Sequence, residues 1–193
     1  NGKPGKIVTH TYLIGRDYTM AVISITGNPD DFFSFDRGIY VKGCCADSVP
    51  PYKRANFWKG WERRINIEFY EPTGELGFNQ RVGVRIFGGF SKGLPMKSLA
   101  IISRKKYEKK TIKYPIFPNK DIKKYKSFVL RNSGSDFNNT QFRDALLTNL
   151  IEPLDVGIQA YRPAVVFING SYWGIHNVRE KINEYYLKSN AGA

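Results

Sequence analysis

Cysteine, histidine and methionine occur only twice each among the 193 residues. The two cysteines, Cys44 and Cys45, are adjacent, so they cannot form a disulfide framework that joins distant segments. A cysteine-type zinc site is not indicated either, and His10 and His176 are far apart in the sequence. We therefore predict no metal site built by this chain alone.

Long apolar runs are also missing, because no segment approaches the roughly 20 apolar residues of a transmembrane helix. The sequence starts at Asn1, with neither an initiator methionine nor a signal-peptide pattern, which favours an excised or processed piece. An apolar fraction of 41% is enough for a buried core. Residues 1–193 are accordingly predicted to form a single unit of one ordinary domain's size.

Acidic side chains are scarce relative to basic ones, with 17 against 30 and a formal net charge of +13. Such an imbalance favours polyanions, phosphorylated ligands or anionic surfaces as partners. Much of the positive charge lies in residues 104–126, where lysines are interleaved with tyrosines. A solvated face that maintains solubility explains the same pattern. No nucleic-acid partner is expected, because no recognised binding motif accompanies the charge.

Alternation of apolar and polar residues predicts strands, most clearly at 20–25, 64–69 and 164–168. Further strands are predicted at 7–15 and 36–43. The one long helix is expected at 139–151, where apolar residues recur on one face. These patterns predict an α+β fold, mostly antiparallel, with one long helix.

Three segments resemble the CotH family, the spore-coat-protein-H-like atypical protein kinases. They are LRNSGSD at 130–136, FRDAL at 142–146, and YRPAVVFINGSYWGIHNVREKI at 161–182. The family's corresponding patterns are LRN-x-G-x-D, I-R-D-A-L and YRP-x-V-V-[FY]-[IL]-NG-x-YWG-I-x-N-[IVL]-REKI. Through this resemblance the fold is expected to be similar to a kinase small lobe.

A glycine-containing loop at 88–97 lies between two predicted strands. Glycines let backbone N–H groups approach phosphate oxygens, and a lysine on the next strand can neutralise them, although many hairpin loops contain glycines. The resemblance strengthens this interpretation, because the family has G-x-S-R-x-x-P-x-K-S here. This chain has lysine in place of the arginine, which removes a bidentate fork. The candidate nucleotide-binding residues of the loop are Gly88, Gly89, Ser91, Lys92 and Lys97.

Five more candidates follow from a kinase-like order of elements. Asp144 on the predicted helix is the expected acidic partner of the loop lysine, or else an exposed helix charge. Arg131 and Asp136 either line the ligand cleft or order the loop before the helix. Arg179 and Glu180 would lie where the small lobe passes into the large one, or would form a structural ion pair.

Two functions remain open. The resemblance implies the ATP-binding half of a Ser/Thr protein kinase that uses ATP with Mg²⁺ or Mn²⁺ and acts on Ser/Thr-rich proteins that are secreted, periplasmic or on the cell surface. The family's catalytic carboxylates are expected downstream of residue 182, so this chain alone is not expected to transfer phosphate. The alternative is a non-catalytic β-rich binding or structural module of a cell-surface or spore-coat-type protein, because family membership alone does not determine function.

Overall fold

Seven strands close into a barrel in the computed structural model, which describes residues 8–15, 17–154 and 156–191. The strands are β1 (Ala21–Gly27), β2 (Arg63–Tyr70), β3 (Leu76–Phe87), β4 (Ser98–Ile102), β5 (Ser127–Arg131), β6 (Tyr161–Ile168) and β7 (Ser171–Glu180). Their order around the barrel is β1-β2-β3-β4-β5-β7-β6. The barrel closes where β1 pairs with β6 in parallel, and the other neighbouring pairs are antiparallel.

Helices are short and lie outside the barrel wall. They are α1 (Pro29–Phe33), α2 (Arg143–Leu150) and α3 (Glu184–Ala191), with single 3₁₀ turns at Asn56–Trp58, Phe90–Gly93 and Glu152–Leu154. None of the helices that the structure describes is long and apolar enough to cross a bilayer.

The barrel interior is filled by alternate residues of the strands, as the two-residue period of a pleated strand requires. Aliphatic and phenylalanine side chains from all seven strands meet there, with little or no exposure to solvent. Examples are Ile23 and Ile25 of β1, Ile67 and Phe69 of β2, Val84 of β3, Leu99 of β4, Phe128 and Leu130 of β5, Val166 of β6 and Val178 of β7.

Both ends of the barrel are covered by connecting segments. At the end where β3 and β5 finish and β4 begins, the turn at 88–97 and the segment 28–58 close the interior, with Phe32 and Phe57 buried. The opposite end is covered by the connection at 103–126, which buries Ile112 and Phe117 in the same core. The glycine-containing turn and the lysine-rich connection therefore lie at opposite ends of the barrel.

The predicted α+β fold with one long helix, resembling a kinase small lobe, is wrong. Helices and 3₁₀ turns make up only about 17% of the described residues, whereas the strands form one closed barrel. Closure depends on the parallel register between Ala21–Gly27 and Tyr161–Ile168, in which Ile23 lies opposite Val166. Such long-range pairing leaves no local signature in the sequence.

The long helix predicted at 139–151 is also wrong in its extent, because α2 begins only at Arg143. Gln141 adopts a positive φ of 59°, which interrupts a right-handed helix. Asp136 accepts hydrogen bonds from the Thr140 hydroxyl and from the Arg143 backbone N–H, and these bonds fix a loop ahead of the helix.

Two predicted strands do not form. Of the strand expected at 7–15, Ile7 lies outside the described residues, and residues 8–15 are irregular. The stretch at 36–43 wraps around α1, because the Gly38 and Tyr40 N–H groups donate to the carbonyls of Ser34 and Phe32. A Cβ on Gly38 would meet the Ser34 carbonyl oxygen at 2.5 Å, so glycine permits this wrapping.

His176 of β7 is fully buried near the first end of the barrel. Its Nε2 lies 3.2 Å from the Lys97 carbonyl oxygen, an acceptor, so Nε2–H donates in this contact. Burial lowers the pKa of His176 from 6.5 to about 4. The folded protein therefore holds this imidazole in its neutral form.

The depressed pKa predicts a pH dependence of stability. Below pH 6.5 His176 is protonated in the unfolded chain, whereas in the folded chain it stays neutral down to about pH 4. The free energy of unfolding therefore falls as the pH decreases from 6.5 to 4. The loss attributable to His176 should reach roughly 3 kcal/mol by pH 4. Urea unfolding of the wild type and of His176→Gln between pH 7 and pH 4 measures this loss. It is the difference between the two proteins in how steeply the free energy of unfolding falls with decreasing pH. Parallel slopes for the two proteins would contradict the assignment.

Candidate functional site

A cleft of about 320 Å³ opens at the first end of the barrel, between the turn after β3 and the loop after β5. We call it the glycine-turn cleft. Its lining consists of Phe87, Gly88, Gly89, Phe90, Ser91, Ser98, Arg131, Asn132, Gly134 and Ser135. Four of the predicted site residues, Gly88, Gly89, Ser91 and Arg131, thus face one space.

Asn132 holds the two walls of the cleft together. Its side-chain amide donates to the Met96 carbonyl at 2.6 Å, and its Oδ1 accepts from the Ser98 hydroxyl at 2.8 Å. The Asn132 backbone N–H in turn donates to the Ser98 hydroxyl oxygen at 3.0 Å. The bond to Met96 fixes the turn relative to β5, and the two buried bonds to Ser98 fix the start of β4.

Gly134 allows the two walls to approach each other closely. A Cβ at this position would lie 2.3 Å from the Ser91 Cβ, far inside van der Waals contact. Gly88 has a φ of 110°, which L side chains rarely adopt, so the turn requires glycine there for a different reason. The glycines therefore shape the cleft through both packing and backbone conformation.

An arginine pair shares a single carboxylate beside the cleft. Asp144 Oδ2 lies 3.2 Å from Arg179 Nη1 and 3.6 Å from Arg131 Nε. Arg179 also donates from Nη2 to the Thr148 hydroxyl at 3.2 Å. Since β5 and β7 are neighbours and Val129 lies opposite Arg179, Arg131 projects from the same outer face of the barrel as Arg179.

The charges of this cluster do not balance, because two guanidinium groups face one carboxylate. Arg179 is only 3% exposed, and burial lowers the pKa of its guanidinium while Asp144 opposes that shift. Arg131 Nε and Arg179 Nη1 face Asp144 as ion pairs without forming a hydrogen bond, and the buried Arg179 Nε has neither kind of partner among the described residues. Guanidinium groups whose hydrogen-bonding capacity is not filled, next to a cleft, favour a ligand that brings acceptor oxygens.

Lys97 is placed differently from the sequence-based expectation. It is 5% exposed, and its Nζ donates to the Lys92 and Leu94 carbonyls at 2.7 and 2.8 Å. The ammonium also lies 4.1 Å from the centre of the Phe57 ring. Burial, with a smaller effect of Lys42, lowers its pKa from 10.5 to about 8. Lys97 closes the turn from behind and does not line the cleft.

Two further candidates support the walls of the cleft from outside. Lys92 places its Nζ 4.5 Å from the centre of the Trp58 ring, and its pKa is lowered by burial and then by Arg85. Asp136 pairs with the Arg143 guanidinium at 3.1 Å, and the Thr140 hydroxyl bond is the main cause of its lowered pKa. Both side chains stabilise the local loop conformation.

Glu180 lies at the other end of the barrel, at the end of β7. Its Oε2 accepts from Lys120 Nζ at 2.6 Å and from the Ala160 backbone N–H at 2.9 Å. Of the ten predicted site residues, four line the cleft: Gly88, Gly89, Ser91 and Arg131. Asp144 pairs with Arg131 of the cleft and with Arg179. Lys92, Lys97 and Asp136 surround the cleft, and Glu180 is remote.

Asn132 was not among the predicted site residues, although it is the last residue of the LRN motif. The available signal was its position directly after a strand, where a buried amide can bond to two connections at once.

The close approach at Gly134 makes a testable prediction. Gly134→Ala should lower the free energy of unfolding by about 1–3 kcal/mol, because the new methyl group overlaps the Ser91 Cβ. The same substitution in a Ser91→Gly background should cost much less, since the opposing Cβ is then absent. Chemical denaturation of the wild type, the two single variants and the double variant gives the coupling free energy between positions 91 and 134.

Gly157→Ala is the matched control, because its new Cβ would meet nothing closer than 3.8 Å. An equal cost of Gly134→Ala with and without Ser91 would show that the two walls do not touch.

A comparison with family models matches residues 84–193 to the family described as CotH kinase protein. This segment begins inside β3, covers more than half of the chain and includes all ten predicted site residues. A search of curated proteins returned no match. The length of the family match shows that the chain belongs to the CotH kinase protein family.

Proposed function

We propose that this chain provides the nucleotide-binding residues of a CotH-type Ser/Thr protein kinase, with the triphosphate of ATP in the glycine-turn cleft. The observation that carries the proposal is the arginine pair, Arg131 and Arg179, which shares only one carboxylate and lies beside a glycine-rich turn. Flexible glycine backbone and a guanidinium fork are the groups that proteins use for phosphate oxygens.

Each residue has a separate task in this proposal. Backbone N–H groups of Gly88 and Gly89 approach the phosphates, since neither residue has a side chain to hold them away. Arg131, the arginine that lines the cleft, binds a phosphate oxygen directly. Asp144 positions Arg131 and Arg179 through the shared ion pair, and Lys97 keeps the turn closed through two carbonyls.

Phosphoryl transfer also needs a divalent cation, which neutralises charge between the β- and γ-phosphates. Within residues 8–15, 17–154 and 156–191, no group of three or more His, Cys, Asp or Glu side chains is arranged to hold a metal. These residues therefore do not fit a Mg²⁺ or Mn²⁺ site of their own, and no step of the proposal uses one.

The protein substrate belongs to the same proposal. A Ser/Thr-rich polypeptide that is secreted, periplasmic or on the cell surface is the acceptor that membership of the family suggests. A non-catalytic module would need neither a nucleotide nor the paired arginines, so nucleotide binding separates the two functions.

Titration with a fluorescent ATP analogue tests the proposal on the 193-residue chain. Saturable binding that unlabelled ATP competes away is expected. Arg131→Gln should weaken it about tenfold, because a charge-assisted hydrogen bond to phosphate is lost. Adenosine, which has no phosphates, should bind equally to the wild type and to this variant.

Arg54→Gln is the matched control, since it removes the same charge from an exposed ion pair with Asp47. It should leave ATP binding unchanged. Absence of saturable binding, or equal losses in Arg54→Gln and Arg131→Gln, would contradict the proposal and favour the non-catalytic module.

A further inference from the structure

The connection between β4 and β5 concentrates positive charge on a folded surface. Residues 104–126 contain ten basic and two acidic side chains, a net +8 of the chain's +13. Ile112, Ile116, Phe117 and Tyr125 of this segment are buried in the barrel core. The lysines therefore lie on a folded surface. We call residues 104–126 the platform.

Two lysines of this platform are held side by side. Ile112 and Tyr125 form an antiparallel bridge, in which each backbone N–H donates to the other's carbonyl at 2.8 and 2.9 Å. Lys113 and Lys124 are the neighbours of the bridged residues on the same side of this bridge. Because Ile112 and Tyr125 point inward, the two lysines point outward together, and both are exposed.

Lys110 and Lys126 extend this group, since Lys126 Nζ donates to the Lys110 carbonyl at 3.2 Å. We call Lys110, Lys113, Lys124 and Lys126 the lysine cluster. In the part of the chain that the structure describes, no carboxylate forms an ion pair with any of the four. The nearby carboxylates have other partners, since Glu180 binds Lys120 and Asp121 binds Lys123.

Like charges concentrated on one folded surface repel each other and destabilise the compact state. A cluster of this kind is best explained by an anionic partner that offsets the repulsion. The tyrosines of the segment are not free to stack on nucleic-acid bases. Tyr107 bonds to Glu62, Tyr114 bonds to Glu71, and Tyr125 is buried. A polypeptide partner therefore fits this surface better than a nucleic acid.

We propose that the lysine cluster binds a phosphorylated segment of a polypeptide, namely the Ser/Thr-rich substrate after it has received phosphate. Phosphoserine carries nearly two negative charges and three acceptor oxygens, so one phosphate matches a pair of ammonium groups. A carboxylate, with one charge, neutralises only half of such a pair. The identity of this partner rests on the proposed kinase function, whereas its binding site is separate from the glycine-turn cleft.

Such binding would let a first phosphorylation promote further phosphorylation of the same substrate, because a substrate that has received phosphate is retained near the protein that modifies it. The exposed lysine doublets Lys105–Lys106, Lys109–Lys110 and Lys123–Lys124 each contain one lysine without a carboxylate partner among the described residues, and these lysines give further phosphates a place on the same surface. Affinity should therefore rise with the number of phosphates on the peptide.

Fluorescence anisotropy tests the inference on the whole chain, without ATP. The probe is a labelled serine-rich peptide with several phosphoserines, compared with its unmodified form and with a form that has glutamate at the same positions. The phosphopeptide should bind most tightly, and added salt should weaken it through screening. Lys113→Gln/Lys124→Gln should reduce its affinity about tenfold.

Lys53→Gln/Lys59→Gln is the matched control, because it removes two exposed lysine charges outside the platform. It should change affinity less than twofold. Thermal unfolding of the cluster variant should be unchanged or shifted upward, since the repulsion is relieved, and this excludes misfolding as the cause of lost binding.

Equal binding of the phosphorylated and glutamate peptides, or equal losses in both double variants, would overturn the proposal. Because no nucleotide is present, these outcomes are independent of the ATP titration. If the protein binds the phosphopeptide but not ATP, the proposed kinase function is contradicted and the proposed phosphopeptide-binding surface is supported. If it binds ATP but not the phosphopeptide, the surface is contradicted and the kinase function is supported.

Discussion

The parallel pairing of β1 with β6 is the constraint on which the rest of the structure depends. It joins Ala21–Gly27 to Tyr161–Ile168 and so closes seven strands without an open edge. A closed wall fixes β3, β4, β5 and β7 relative to one another. The cleft is built where three of these strands end or begin, so its geometry depends on a contact between distant parts of the chain.

Within that frame the cleft is positioned by polar bonds behind its surface. Asn132 joins β5 to the turn and to β4, and Asp144 holds Arg131 against Arg179. Lys97 contributes through two backbone carbonyls and remains without a carboxylate partner among the described residues. The side chain expected to contact phosphate thus supports the turn, and an arginine on the next strand lines the cleft instead.

Local sequence patterns correctly predict the strands at 20–25, 64–69 and 164–168, because alternation is a local property, but they wrongly predict strands at 7–15 and 36–43. They fail where distant segments meet, as in the pairing of β1 with β6. Helix α2 shows a second kind of failure, since its apolar Leu146, Leu147 and Leu150 are exposed and Ala145 is buried. The cleft was partly predictable, because Gly88, Gly89, Ser91 and Arg131 lie in recognisable motifs. For Asn132 the signal was limited to its position directly after a strand, since its role depends on which connections pack together.

The two proposed sites lie at opposite ends of the same strand. β5 runs from Ser127, directly after Lys126 of the lysine cluster, to Arg131 at the cleft. At about 3.3 Å per residue the strand's length is roughly 17 Å, which an extended peptide covers in about five residues. Under the two proposals, a polypeptide would contact the cluster through one phosphorylated serine while another serine, at least five residues away, reaches the cleft. That spacing would favour a serine-rich, repetitive substrate over an isolated serine.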